Sequence, residues 1–218
     1  MRIVAAFGAL TLSIFAVLEG WASHSPGGSE AVSIRPNVLV IGTATRQELD
    51  LARWAVERFE IAGLEPPRVE IEFHADPSGC AGHLGFARRT QVDVCTTLLN
   101  AMTRRALLHE MSHVWLDQNV SSWTRTTFLE VRGLASWNSA EDQWRLRGFE
   151  QAAEIISWAI GERILSAQIP DNDPVQMAEA YALLTGSRFL SETQPVSSGH
   201  AASSSARMSS RLLGPSSA

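Results

Sequence analysis

The chain has 218 residues and a formal net charge of −5, and its 18 basic residues are scattered along it without a dense cluster. This distribution excludes the concentrated positive surface that nucleic-acid binding needs, so we expect no nucleic-acid partner. The sequence contains no internal repeat, which argues against the repeat architectures.

The first 22 residues have the layout of a secretory signal peptide. Arg2 gives a basic start, residues 3–18 are almost entirely apolar, and the small residues Gly20 and Ala22 precede a possible cleavage point. The apolar run is shorter than the roughly 20 residues that span a bilayer. We therefore expect a protein that is secreted or resides in the cell envelope. The alternative is an uncleaved N-terminal membrane anchor, and we expect membrane contact only in that case.

One domain is expected between the two ends of the chain. We interpret residues 23–35 as a linker. Residues 191–218 are dominated by Ser and Ala and have too few large apolar side chains to pack, so we expect a disordered tail. The remaining residues 36–190 fit one compact domain with a sizeable core, which we expect to be a monomer.

Strand patterns dominate the first half of this domain. Residues 37–42 are a short β-rich run, and residues 45–63 carry apolar residues at helical spacing, with Thr45 as a cap and Gly63 at the end. Alternation of apolar and polar residues then predicts further strands. These strands are expected at 68–74, 80–88 and 90–96, and we interpret them as a small β-meander.

The only two cysteines lie in this region. An even number of cysteines in an exported protein favours a disulfide, so we predict that Cys80 and Cys95 are bonded. Two unpaired buried thiols are the alternative. A metal site made of these cysteines is disfavoured, since they are far apart and no Cys-x-x-Cys occurs.

Helical patterns dominate the second half. Residues 103–118, with Thr103 as the expected cap, 148–166, and 175–186, which ends at Gly186, all read as helices, and 119–147 is less regular. The order of strand, helix, small sheet and then helices predicts an α+β fold in which the meander packs on helices.

A chemical motif lies on the first of these helices. His109 and His113 are four residues apart, so their rings project from one helix face and can bind a single Zn²⁺. Glu110 lies about 100° round the helix from His109, where it can take a proton from an activated water without ligating the metal. The alternative is a coincidental match on an ordinary helix. The apolar residues on both sides of the motif favour a well-positioned helix.

A third metal ligand has to come from elsewhere in the chain. The only later histidine is His200, in the expected tail, so the ligand would be a carboxylate. Helix 148–166 offers Glu150 and Glu154, which are also four residues apart.

With these residues the chain resembles the gluzincins, the thermolysin-like zinc metallopeptidases. The match covers roughly residues 45–165 and rests on His109-Glu110-x-x-His113 and on Glu150 with an acid four residues later. The resemblance implies a zincin-like fold and Zn²⁺ held by His109, His113 and Glu150, with Glu110 as general base. Such enzymes usually have Asp where this chain has Glu154, which we expect to accept a hydrogen bond from a ligating imidazole.

Several other polar residues are candidates for a role at the site. Tyr181 is a candidate for stabilising the transition state, with core packing as the alternative. Asp117 follows His113 by one turn and either orients that imidazole or is a solvated helix-end residue. We expect His74 and His83 to be surface or loop histidines and not ligands.

The sequence therefore predicts an exported zinc metallopeptidase that cleaves a peptide or protein substrate. One strand of the expected meander would form a wall of the cleft and pair with an extended substrate. The first alternative is a catalytically inactive binding module with a zincin fold at the cell surface. The second is a structural protein in which the motif is coincidental.

Overall fold

The computed structural model describes residues 31–96, 98–161 and 167–187. The expected signal peptide, the expected tail and the last residues of the helix predicted at 148–166 lie outside these ranges. No helix within the described ranges has the length and apolar character needed to cross a membrane.

Five strands form one mixed sheet in the order β1-β2-β3-β5-β4. The strands are β1 (Val32–Arg35), β2 (Val38–Ile41), β3 (Val69–His74), β4 (Gly85–Arg88) and β5 (Gln91–Cys95). β2, β3 and β5 are parallel, whereas β1 and β4 are antiparallel edge strands. β1 lies inside the segment expected to be a linker, so regular structure reaches back to Val32.

The expected meander is therefore wrong. β4 and β5 form a hairpin, but β3 pairs directly with β5 in parallel and β4 is added outside β5. Alternation along a strand specifies which residues face the core, but it does not specify the neighbouring strand or its direction. The α+β class itself is confirmed by the mixed sheet and the helices.

Five α-helices accompany the sheet. They are α1 (Arg46–Ile61), α2 (Ala101–Asn119), α3 (Ser122–Arg132), α4 (Gly148–Ile160) and α5 (Pro174–Thr185). Thr45 caps α1 as predicted, and it forms a capping box with Glu48. α2 begins earlier than expected, because the side chain of Asn100 and not that of Thr103 accepts hydrogen bonds from the first turn. α3 occupies part of the stretch expected to be irregular.

The core lies between the helices and one face of the sheet. Val69 and Ile71 of β3 and Val92 and Val94 of β5 are buried in it. Because successive side chains on a strand point to opposite faces, the intervening polar residues lie on the face turned away from this core. The sheet thus has an apolar face under the helices and a polar face on the other side.

The two cysteines are at bonding distance, as predicted. A short 3₁₀ turn (Pro77–Cys80) follows β3, and Cys80 bonds to Cys95 at the end of β5 with their Cα atoms 5.9 Å apart. The bridge closes a loop that contains the whole of β4. It therefore ties this edge strand and the turn before it to the centre of the sheet.

Candidate metal centre

Three potential metal ligands meet between α2 and α4. The Nε2 atoms of His109 and His113 are 3.1 Å apart, and Glu150 Oε2 lies 3.2 Å from the first and 3.1 Å from the second. Both histidines are nearly buried, with 8% and 6% of their surface exposed. The helical spacing within α2 and the packing of α4 against it together produce this triangle of atoms.

The triangle fits a small divalent cation. In a tetrahedral site with zinc–ligand bonds of 2.0–2.1 Å, neighbouring ligand atoms are about 3.3 Å apart, close to the distances seen between these three atoms. Two imidazole nitrogens and a carboxylate oxygen are also ligands that Zn²⁺ prefers. All three atoms are acceptors when unprotonated, so their close approach requires a positive species among them, either a proton or a metal ion.

The imidazole of His109 is oriented from behind by a second carboxylate. Its Nδ1 lies 3.3 Å from Glu154 Oε2, so a hydrogen on Nδ1 would leave the lone pair of Nε2 directed at the triangle. Glu154 is in turn held by an ion pair with Arg105 and by the backbone N–H of Gln168, which donates at 2.8 Å. The sequence-based expectation for Glu154 corresponds to this position behind the imidazole.

His113 has a different environment. Its Nδ1 is buried and has no hydrogen-bond partner among the described residues. The ring of Phe149 contacts its imidazole, with the centroids 4.2 Å apart, and Trp144 stacks on His109 at 5.8 Å. These aromatic rings flank the triangle and lower the local dielectric, which strengthens interactions between charged groups within it.

The pKa values of two of these three residues are shifted strongly from their ordinary values. Burial by itself lowers the pKa of His109, but hydrogen bonds with Glu150 and Glu154 outweigh it and raise that pKa to about 9. Burial by itself raises the pKa of Glu150, but the hydrogen bonds with His109 and His113 hold it well below its usual range. The two pKa shifts have the same cause. A proton on the imidazole compensates the negative charge of the buried carboxylate.

Glu110 stands beside the triangle and is separate from it. Within the described part of the chain its carboxylate makes no hydrogen bond or ion pair of its own, so both oxygens are available to a ligand in the cleft. Its side chain packs against Gly85 of β4, where an added Cβ would lie 2.7 Å from Glu110 Cγ. Real Cβ atoms essentially never come that close, so the absence of a side chain at Gly85 makes room for Glu110.

A cleft of about 680 Å³ opens over the triangle and Glu110. One wall is made by α2, α4 and the segment that precedes α4. The other wall is made by β4 and the turn before it. Polar residues that line the cleft, besides those already described, are His83, Asn138 and Arg147. Large apolar side chains that line it and remain exposed are Leu84, Phe86, Met102 and Trp144.

The other candidate residues lie in the core, on the surface or along the cleft. Tyr181 is 2% exposed in the core on α5 and does not line the cleft, so the structure does not bring it to the metal ligands. Asp117 is half exposed and pairs with Arg125 at 3.3 Å. His83 is exposed, as expected of a loop histidine, but it does line the cleft.

Two residues that matter at the site were missed by the sequence analysis. Arg105 lies one turn before His109 on α2. This spacing puts both residues on one helix face, so Arg105 could have been predicted from it. Gly85 had no such signal, because its role depends on the approach of β4 to α2.

No protein-family model, curated protein or solved structure matches this chain. The resemblance to gluzincins therefore rests on the short sequence motifs alone.

Proposed function

We propose that this protein is a zinc-dependent hydrolase of peptide bonds in which Glu110 is the general base. One observation carries the proposal: His109 Nε2, His113 Nε2 and Glu150 Oε2 lie within 3.2 Å of one another at the floor of a cleft, with the unpaired carboxylate of Glu110 beside them. This combination of three ligand atoms and a free base is what metal-assisted hydrolysis needs.

A zinc ion held by His109, His113 and Glu150 would polarise a carbonyl group and lower the pKa of a water molecule. Glu110 would accept the proton of the attacking water and pass it to the nitrogen of the leaving amine. The side chain can do this because Gly85 leaves space for it. General acid–base groups of this kind typically contribute about 10²–10⁴-fold to a rate.

The remaining polar residues would keep the ligands in one protonation state and one orientation. Glu154 would hold the hydrogen of His109 on Nδ1. Burial by itself raises the pKa of Glu154, but the contact with His109, the backbone N–H of Gln168 and the charge of Arg105 lower that pKa below its ordinary value. Phe149 and Trp144 cover the imidazoles and exclude bulk water from them. Such outer partners typically change metal affinity or activity by about 10–100-fold.

An extended peptide is the substrate class that the strand wall favours. β4 is an edge strand, and Leu84 O accepts a hydrogen bond from Cys95 N at 2.9 Å across the hairpin. In an antiparallel pair the next residue points its N–H and C=O the other way, so those of Gly85 and Ala87 face away from β5. Both residues line the cleft, where these groups can pair with a substrate backbone.

The compartment of this activity is part of the proposal. The Cys80–Cys95 disulfide joins the cleft wall to the sheet, and disulfides persist in oxidising compartments. Together with the N-terminal sequence, this supports an activity outside the cytoplasm.

The decisive experiment compares Glu110→Gln with the unmodified protein. Zinc content is measured by atomic emission after dialysis, and hydrolysis is measured on a library of quenched fluorescent peptides. We expect the unmodified protein to retain zinc at its triangle and to hydrolyse peptides, and Glu110→Gln to keep that zinc and lose hydrolysis. Asp117→Asn is the matched control, because it changes an acidic residue on the same helix away from the cleft and should keep both properties.

Each failure has a distinct meaning. Loss of zinc in Glu110→Gln would contradict its role as a base that does not ligate. Zinc that is bound without hydrolysis of any peptide would replace the enzyme with the binding module. A protein whose zinc content does not depend on His109 and His113 would show that the motif is coincidental.

A further inference from the structure

A second group of potential metal ligands lies on the opposite face of the sheet. Glu72 and His74 are on β3 and Asp93 is on β5, and their ligand atoms all lie within 4.8 Å of one another. Glu72 and Asp93 are directly paired in the strand register, and His74 is two residues further along the same face. The group is therefore held by the ladder between two parallel strands, far from the triangle under the helices.

The distances within this group suit one metal ion. His74 Nε2 is 3.0 Å from Asp93 Oδ1 and 4.0 Å from Glu72 Oε2. Two ligands of one metal are about 3–4.4 Å apart when the bonds are 2.0–2.2 Å long, so both distances fall within the range. Gln91 donates from Nε2 to Asp93 at 3.1 Å and to Glu72 at 3.4 Å, which orients the two carboxylates toward each other.

Charge favours a cation at this place. Asp93 is only 5% exposed, and no arginine forms an ion pair with Asp93 or Glu72 within the described ranges. A buried carboxylate beside a half-exposed one is stabilised by a positive partner. His74 alone can supply at most one charge, and only when it is protonated.

The surroundings leave access for an ion and hold the ligands still. The side chains of His74 and Glu72 are 29% and 35% exposed, so water can reach the group and complete a coordination shell. Gly79, in the turn bound by the disulfide, lies over the ring of His74, where an added Cβ would be 3.4 Å from Cγ. The disulfide thus holds a small residue over the imidazole.

We propose that Glu72, His74 and Asp93 form a second divalent-cation site, distinct from the candidate zinc centre and independent of peptide hydrolysis. His74 would then be a ligand, contrary to the expectation from the sequence. One imidazole with two carboxylates suits Zn²⁺ or Mn²⁺, whereas Ca²⁺ sites are built from oxygen ligands alone. An ion here would join β3 to β5 next to the disulfide and stabilise this part of the sheet.

The test counts zinc ions per chain at a fixed low free Zn²⁺ concentration, by atomic emission after dialysis. We expect about two for the unmodified full-length chain and about one for a double variant, His109→Ala with His113→Ala, in which only the second site remains. In that background Asp93→Asn and His74→Gln should each remove the remaining ion. Asp93→Asn keeps the shape of the side chain and its contact with Gln91, so folding is expected to persist, and circular dichroism checks this.

Glu70→Gln is the matched control, because Glu70 is an exposed acid on the same strand and the same sheet face but outside the group. It should leave the second ion in place. The proposal is overturned if the double variant binds no zinc, or if its zinc survives Asp93→Asn or His74→Gln. These outcomes are separate from those of the proposed hydrolase, which depends on the ion that the double variant lacks.

Discussion

The two walls of the cleft differ in how they are built and in what they hold. The helical wall carries the ligand triangle, whose three side chains come from α2 and α4, and these helices pack against each other in the core. The strand wall is a four-residue edge strand that contributes a glycine and backbone groups, and it is attached through a disulfide. Under the proposed function, the helical wall would bind the metal, whereas the strand wall would position the base and the substrate.

The largest expected effect separates the two glutamates of the helical wall. Glu150→Ala removes an atom that lies 3.1–3.2 Å from both imidazole nitrogens, so we expect zinc affinity to fall by more than about 100-fold. Glu154→Ala removes only the support behind His109 and should cost about 10–100-fold. Competition with a chromophoric chelator measures both affinities. The reverse order would make Glu154 the ligand.

The next effect concerns the strand wall. Replacing Cys80 and Cys95 together by Ser opens a loop of 15 residues, for which the chain-entropy model gives a loss of about 3 kcal/mol in the free energy of unfolding. Urea unfolding of the metal-free proteins measures it. Zinc affinity at the helical wall should change little in the folded variant. A large loss of that affinity would mean that the two walls do not act separately.

A smaller effect tests the contact between the walls. Gly85→Ala would place a Cβ 2.7 Å from Glu110 Cγ and so displace the carboxylate, and we expect kcat to fall by about 10–100-fold with zinc content unchanged. Steady-state kinetics on a cleaved peptide measures this. Ala87→Ser, two residues along the same strand, is the control and should retain most of the activity. An unchanged kcat in Gly85→Ala would show that Glu110 does not need the space that Gly85 leaves.

A last effect is a pH dependence of the stability of the metal-free protein that comes from the helical wall. The folded-state pKa of His109, about 9, lies above the ordinary imidazole value, so this group stabilises the folded protein fully below about pH 6.5. That contribution is lost as pH rises from about 6.5 to 9. The lowered pKa values of Glu150 and Glu154 work in the opposite direction, since their contribution is lost as pH falls below the ordinary value of about 4.5.

Urea unfolding in the presence of a chelator, repeated across this pH range, measures the dependence. The zinc-loaded protein should not lose stability between pH 6.5 and 9, because the metal replaces the proton among the ligands and binds more tightly as protons are released. An equal loss in both forms would contradict the assignment of the shift to the ligand triangle.

Local patterns predicted much of the helical wall. The four-residue spacing of His109 and His113 places both on one face of α2. The same spacing places Glu150 and Glu154 on one face of α4, but it does not specify which of the two would be the ligand. Tyr181 shows the limit of this reasoning. It lies on a correctly predicted helix, but the side of that helix that meets the core was not readable from the pattern.

The strand wall was predicted less well. Alternation placed β3 and β5 within a residue or two of their positions, and the predicted cysteine pair lies at bonding distance. The β4–β5 hairpin agrees with the expected meander, but the parallel pairing of β3 with β5 was not predicted, since it joins residues that are 21 apart in the sequence. The second metal group depends on this same register, so no local motif indicates it.

The sequence by itself thus determined the elements whose interactions are local. These are the helices, the two histidines with Glu110 beside the first of them, and the helix that carries Glu150, because a helix is defined by contacts between residues three and four apart. Only the tertiary structure decided which atoms meet across elements. It brings Glu150 to the imidazoles, Arg105 to Glu154, Gly85 to Glu110 and His74 to Asp93, because each of these approaches depends on the packing of the core and the register of the sheet, which no short stretch of sequence contains.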